Sequence, residues 1–89
     1  MAKNFRSYAR AIRQRAQKWA ADQGLVLGKQ TLHVDHKFSI LDSWNANLPM
    51  AIVNHPANLQ LLGAKENSSK GSKSSITLAQ LYEMIREVV

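Results

Sequence analysis

The chain has 89 residues, 12 basic and 6 acidic side chains, and no cysteine. That length builds a single domain (1–89) with a modest core and leaves no room for a large cofactor fold. The missing thiols exclude disulfides, a cysteine nucleophile and cysteine-ligated structural zinc. Ordinary apolar content argues against wholesale disorder, and no run reaches the roughly 18 apolar residues of a membrane span.

The charge is unevenly placed. Residues 1–21 hold Lys3, Arg6, Arg10, Arg13, Arg15 and Lys18 and no acid, while the remainder is balanced. A basic arm on a neutral body predicts a polyanionic partner, with nucleic acid first among candidates. Within this segment (1–24), residues 4–22 predict an amphipathic helix. Phe5, Tyr8, Ala9, Ile12, Ala16, Trp19 and Ala20 recur at three- and four-residue spacing and fill an arc of about 120°. Lys3, Arg6, Arg10 and Arg13 share a neighbouring arc with Gln17. Two readings compete there: a solvated face and a phosphate-binding face. A solvated helix usually mixes signs for i,i+4 pairs, and residues 1–21 hold no acid, which favours the phosphate-binding reading. A membrane-surface helix is a weaker third reading, because the alanine-rich apolar face is needed for the core. Gly24 suits a helix C-terminus.

Residues 25–30 predict a turn. The alternation of Thr31-Leu32-His33-Val34-Asp35 predicts a short strand ending near Asp35-His36. Residues 38–47 are expected to be loop. Residues 48–55 are mostly apolar, with Pro49 suited to the first turn of a short helix and Pro56 suited to stopping it. Leu59-Gln60-Leu61-Leu62 predicts a second strand returning beside the first, and Ala64 to Lys70 a short helix. The serine-, lysine- and glycine-rich stretch 68–75 is expected to be exposed and mobile. Thr77 and Gln80 form a capping box for a last helix over 77–89, with Leu78, Leu81, Tyr82, Ile85 and Val88 as its apolar stripe.

The chemistry-bearing residues are Asp35-His36, Asn58 and Asn67. A carboxylate and an amide oxygen can hold a hard divalent cation, and a neighbouring imidazole can accept a proton from water. Together they are the minimum for metal-assisted phosphodiester hydrolysis. The competing reading makes Asp35-His36 a surface polar pair and Asn67 a helix cap. A zinc cluster of His33, His36, His55 and Asp35 is a further alternative, but its spacing matches no finger pattern and it would consume the base. Trp19 is expected in the core. Trp44, in a polar stretch, is open to base stacking.

The segment from His33 to Ser74 resembles the HNH endonucleases of the ββα-metal (His-Me finger) superfamily, especially small phage and homing-type enzymes. The resemblance rests on the Asp35-His36 pair, on Asn58-Leu59-Gln60-Leu61-Leu62, and on Asn67 followed by Lys70-Gly71. It implies an α+β fold: a two-stranded antiparallel hairpin plus helix (31–75), flanked by N- and C-terminal helices. It also implies roles. His36 is the general base. Asp35 and Asn67 hold one divalent ion, Mg²⁺ or Mn²⁺. Asn58 ties the loop between the strands and holds His36 in place. His33, Lys70 and Lys73 are candidates for contact with the scissile or flanking phosphates, each against a structural or solvated alternative. Arg6, Arg10 and Arg13 lie outside the matched segment and are the expected DNA contacts.

The expected activity is DNA cleavage by nicking or double-strand cutting. A double-strand break from one active site requires a dimer or two nicks. The alternatives are a basic DNA-binding or packaging accessory that keeps the finger without catalysis, and a nuclease toxin or protein-binding module. Many HNH proteins clamp the finger with a cysteine-bound structural zinc; here the flanking helices must do that work. With no signal-peptide-like stretch at the start of the sequence, a cytoplasmic location is expected, in the host cytoplasm for a phage-encoded chain.

Overall fold

A computed structural model of the chain describes residues 4–25 and 32–87. The turn expected over residues 25–30 lies almost wholly outside the described residues, as do Lys3, Thr31 and Val88. The described residues form a small α+β arrangement of five α-helices and one two-stranded antiparallel sheet.

Helix α1 spans Phe5–Asp22. Asn4 caps it, its side-chain oxygen accepting from the Ser7 amide at 2.9 Å. Gly24 ends it with φ +76°, a conformation glycine adopts without a Cβ clash. The predicted stripe faces inward: Ala9, Ile12, Ala16 and Ala20 are buried.

Strand β1 (Leu32–His36) pairs antiparallel with β2 (Leu59–Gly63), in a register that sets Asp35 opposite Gln60 and His36 opposite Leu59. Helix α4 (Ala64–Lys70) follows β2 directly and packs on both strands. Between the strands run α2 (Ile40–Asn45), α3 (Met50–Val53) and a 3₁₀ turn, Pro56–Asn58. Ile12, Leu48 and Val53 form the core, with Tyr8, Phe38, Ile40, Met50, Ile52 and Leu78 against it. Helix α5 (Leu78–Glu87) buries Leu81 and packs on the 3₁₀ turn. Its capping box is reciprocal: the Thr77 amide donates to Gln80 Oε1 at 2.8 Å, and the Gln80 amide to Thr77 Oγ1 at 3.1 Å. Tyr82, expected in the apolar stripe, is 42% exposed. Among the described residues no helix is long and apolar enough to cross a membrane.

Two expectations are corrected. Residues 38–47 are not simply loop, because Ile40–Asn45 is helical. Ser39 caps it, its hydroxyl accepting from the Asp42 amide at 3.0 Å. Trp44 is drawn inward against Phe5 and Tyr8, at ring-centroid distances of 6.2 and 5.1 Å. The other correction concerns the mobility expected of 68–75, a stretch that is largely exposed as expected. Residues 68–70 end α4, as the helix expected to reach Lys70 has them, and Ser74 and Ser75 beyond it are held by hydrogen bonds. Ser74 Oγ donates to Asp42 Oδ2 at 2.6 Å and accepts from the Ser39 amide at 2.7 Å, while the Ser75 amide donates to the Lys37 carbonyl at 2.7 Å. These bonds span more than 30 residues and tie the segment after α4 back to the exit of β1 and the start of α2.

Candidate active site

Asp35 and His36 close the C-terminal end of β1, and each is only 6% exposed. They are not a surface pair. Burying a carboxylate requires partners, and Asp35 has two. Gln60, its cross-strand neighbour, donates from Nε2 to Oδ2 at 2.8 Å. Lys70, the last residue of α4, donates from Nζ to Oδ1 at 3.0 Å and to the His36 carbonyl at 2.8 Å. Lys70 thus faces inward at the end of β1.

The His36 imidazole is fixed by Asn54, whose Oδ1 lies 2.7 Å from Nε2. Asn54 is itself oriented, since its Nδ2 donates to the Ile12 carbonyl of α1 at 3.1 Å. With the amide committed that way, Oδ1 can only accept, so the Nε2 position of His36 carries the proton. Nδ1 is then the basic nitrogen of the neutral ring. Burial pushes the His36 pKa below its ordinary value. The Asn54 bond and the Asp35 carboxylate oppose that shift, and the charges of Lys70 and Arg13 reinforce it.

Asn58 is fully buried. Its Oδ1 accepts from the Phe38 amide at 2.8 Å, and its Nδ2 donates to the Phe38 and Val53 carbonyls at 3.2 and 2.8 Å. The Lys37 amide also donates to the Asn58 carbonyl at 2.8 Å. One side chain therefore stitches the exit of β1 to the end of α3 and to the start of β2.

A cleft of about 700 Å³ gathers Arg13 and Gln17 from α1, His33, Asp35 and His36 from β1, and Asn67 and Lys70 from α4. Asn67 is the fourth residue of α4, whose N-cap is Gly63, so its side chain does not cap the helix. His33 and Asp35 lie two residues apart on one strand and both reach this cleft. Arg6, Arg10 and Arg13 are all exposed along α1, and of the three Arg13 lines the cleft. Lys73 is exposed beyond α4. His55 stands apart, its Nδ1 accepting from the Ala57 amide at 3.1 Å as the cap of the 3₁₀ turn. Among the described residues no three His, Cys, Asp or Glu side chains gather as a metal-binding group.

The sequence reading does not single out Asn54 or Gln60 as site residues. Gln60 becomes legible once the strand register is known, because it faces Asp35. Asn54 carries little signal beyond being a polar residue closing an apolar stretch. Comparison with family models, with curated proteins and with solved structures finds no match.

Proposed function

We propose that this chain is a metal-dependent endonuclease of the HNH type, with a ββα-metal finger formed by β1, β2 and α4, and that it hydrolyses phosphodiester bonds in DNA. One observation carries the reading. A buried imidazole with its protonated nitrogen anchored adjoins a carboxylate in a cleft that also holds an amide and an arginine.

The donor set suits a hard cation. Asp35 and Asn67 are oxygen donors that line one cleft. Asp35 and Asn67 are the residues that would hold Mg²⁺ or Mn²⁺. Such an ion, when bound, offsets negative charge at the phosphate and at the departing 3′ oxygen.

The chain's own residues supply the remainder. His36 is neutral near pH 7, because burial lowers its pKa, and takes a proton from the attacking water at Nδ1. The water oxygen bonds to phosphorus as the bond to the 3′ oxygen breaks, and that oxygen leaves with a proton from solvent. Asn54 keeps the imidazole in the required tautomer and angle. Arg13 faces the same cleft and is suited to a phosphate oxygen. One chain has one His36, so cutting both strands takes a dimer or two successive nicks.

A second reading is a DNA-binding protein without catalysis. The Asp35–Lys70 ion pair favours it, since the carboxylate is neutralised with no metal required. Plasmid nicking by the purified chain, with Mg²⁺ and with EDTA, separates the two. The nuclease reading expects nicks with Mg²⁺, none with EDTA, and none from His36→Ala. DNA retention without nicking in Mg²⁺ and in Mn²⁺ selects the binding protein.

A further inference from the structure

Lys70 is not placed as a solvated lysine. Its side chain is 13% exposed and that of Asp35 is 7% exposed, with Nζ and Oδ1 3.0 Å apart. A second bond from the same ammonium reaches the His36 carbonyl at 2.8 Å. The ammonium thus grips both residues at the end of β1 from the last turn of α4. No other cation is paired with Asp35 among the described residues, and Gln60 takes the other carboxylate oxygen without neutralising it.

From this geometry we infer that Lys70 is a built-in counter-ion of Asp35, and that a divalent cation binds the site in competition with it. The inference rests on the nuclease reading and deepens it, because it names a residue that sets the metal affinity. The physics is like-charge repulsion. A divalent ion on Asp35 would sit beside a mostly buried ammonium, where solvent screening is weak. Binding therefore requires Lys70 to withdraw, or proceeds against its charge. Withdrawal frees a cationic side chain in the cleft, where a phosphate is the available anion. The same ion pair lets the metal-free protein bury Asp35 without leaving a lone charge.

The test is metal affinity, read on intact protein without DNA. Mn²⁺ binding is measured by calorimetry, at mildly alkaline pH, for the parent chain, Lys70→Met, Lys70→Gln and Lys70→Arg. Competition predicts that the two neutral variants bind Mn²⁺ at least about tenfold more tightly, a difference of about 1.4 kcal/mol. Lys70→Arg keeps the charge and stays near the parent. The methionine variant is also expected to melt earlier than the parent in EDTA and to recover more on adding Mn²⁺.

Amine acylation of the unmutated chain, followed by mass spectrometry, gives a readout that needs no variant. Lys70 should react more slowly than the exposed Lys65 and Lys73 in EDTA, and faster once Mn²⁺ is saturating. A parent chain that binds Mn²⁺, with folded neutral variants binding no more tightly and Lys70 acylation unchanged by the metal, overturns the inference and leaves the nuclease reading standing. Failure of every form to bind Mn²⁺ overturns the metal-dependent reading itself, and this inference with it.

Discussion

Asn54 Oδ1 stands 2.7 Å from His36 Nε2, while the other end of the same amide holds the Ile12 carbonyl of α1. The ring is thereby fixed by a residue from outside the strand that carries it. Removing that partner should impair catalysis with little effect on DNA affinity. Replacement of a residue that orients a reactive histidine typically costs about 10–100-fold. Asn54→Ala is expected to fall in that range in single-turnover plasmid cleavage, with unchanged gel-shift affinity. An unimpaired Asn54→Ala would remove this residue from the site.

His36→Ala should lose cleavage by about 10²–10⁴-fold. The protein should keep its fold, as read by circular dichroism, and should keep binding DNA. Substantial residual cleavage under single-turnover conditions would show that another group takes the proton.

The depressed pKa of His36 makes two pH predictions. The acid limb of kcat/KM should have its midpoint below the ordinary histidine value of about 6.5, since only the neutral ring accepts a proton. Folding stability carries the same sign. The unfolded chain protonates this histidine first, so its contribution is fully present above about 6.5 and is lost as pH falls through the lower folded-state value. Urea melts across that range should show the parent losing more stability on acidification than His36→Gln. Parallel losses would place the pH sensitivity elsewhere.

Asn58→Ala removes a fully buried amide that satisfies three backbone groups. An orphaned buried polar group costs about 1–3 kcal/mol. The midpoint of urea unfolding should therefore fall by an amount worth at least about 2 kcal/mol, with cleavage falling alongside. Stability within about 0.5 kcal/mol of the parent would mean that water replaces the amide.

The basic face of α1 is tested by changing Arg6, Arg10 and Arg13 together to glutamine, which keeps helix propensity. Phosphate contacts supply affinity without sequence information, and each contributes about 0.9 to the slope of log K against log salt on duplex DNA. Binding should weaken on every sequence, and the slope should flatten by about 2–3 units. Arg13→Gln alone should also slow cleavage at saturating protein, because Arg13 lines the cleft. An unchanged slope would move the nucleic-acid footprint to Lys37, Lys65 and Lys73.

Much of the frame was legible because periodicity and caps are local signals. The stripe from Ala9 to Ala20, the end of β1 at His36, the helix from Ala64 to Lys70 and the Thr77–Gln80 box all follow from residues within a few positions of one another. Helix α2 escaped because its six residues carry too little pattern, and Trp44 finds its partners, Phe5 and Tyr8, far back in the chain. The site divides the same way. Asp35, His36, Asn58 and Asn67 were visible as residue types suited to a chemistry. The Asn54 anchor and the Gln60 and Lys70 grips are long-range hydrogen bonds that need the tertiary structure.

The Ile12 carbonyl has one further consequence, for modularity. In sequence order the segment 31–75 follows α1 as a block of its own, with the helix in front of it. Yet the anchor of His36 hangs from the middle of that helix. A fragment starting after α1, or a transplant of residues 31–75 into another scaffold, keeps the four residues Asp35, His36, Asn58 and Asn67 and loses the support that sets the angle of the imidazole. Replacing the front helix would need a new one that presents a backbone carbonyl to Asn54 at the same height, a feature that no side-chain motif records.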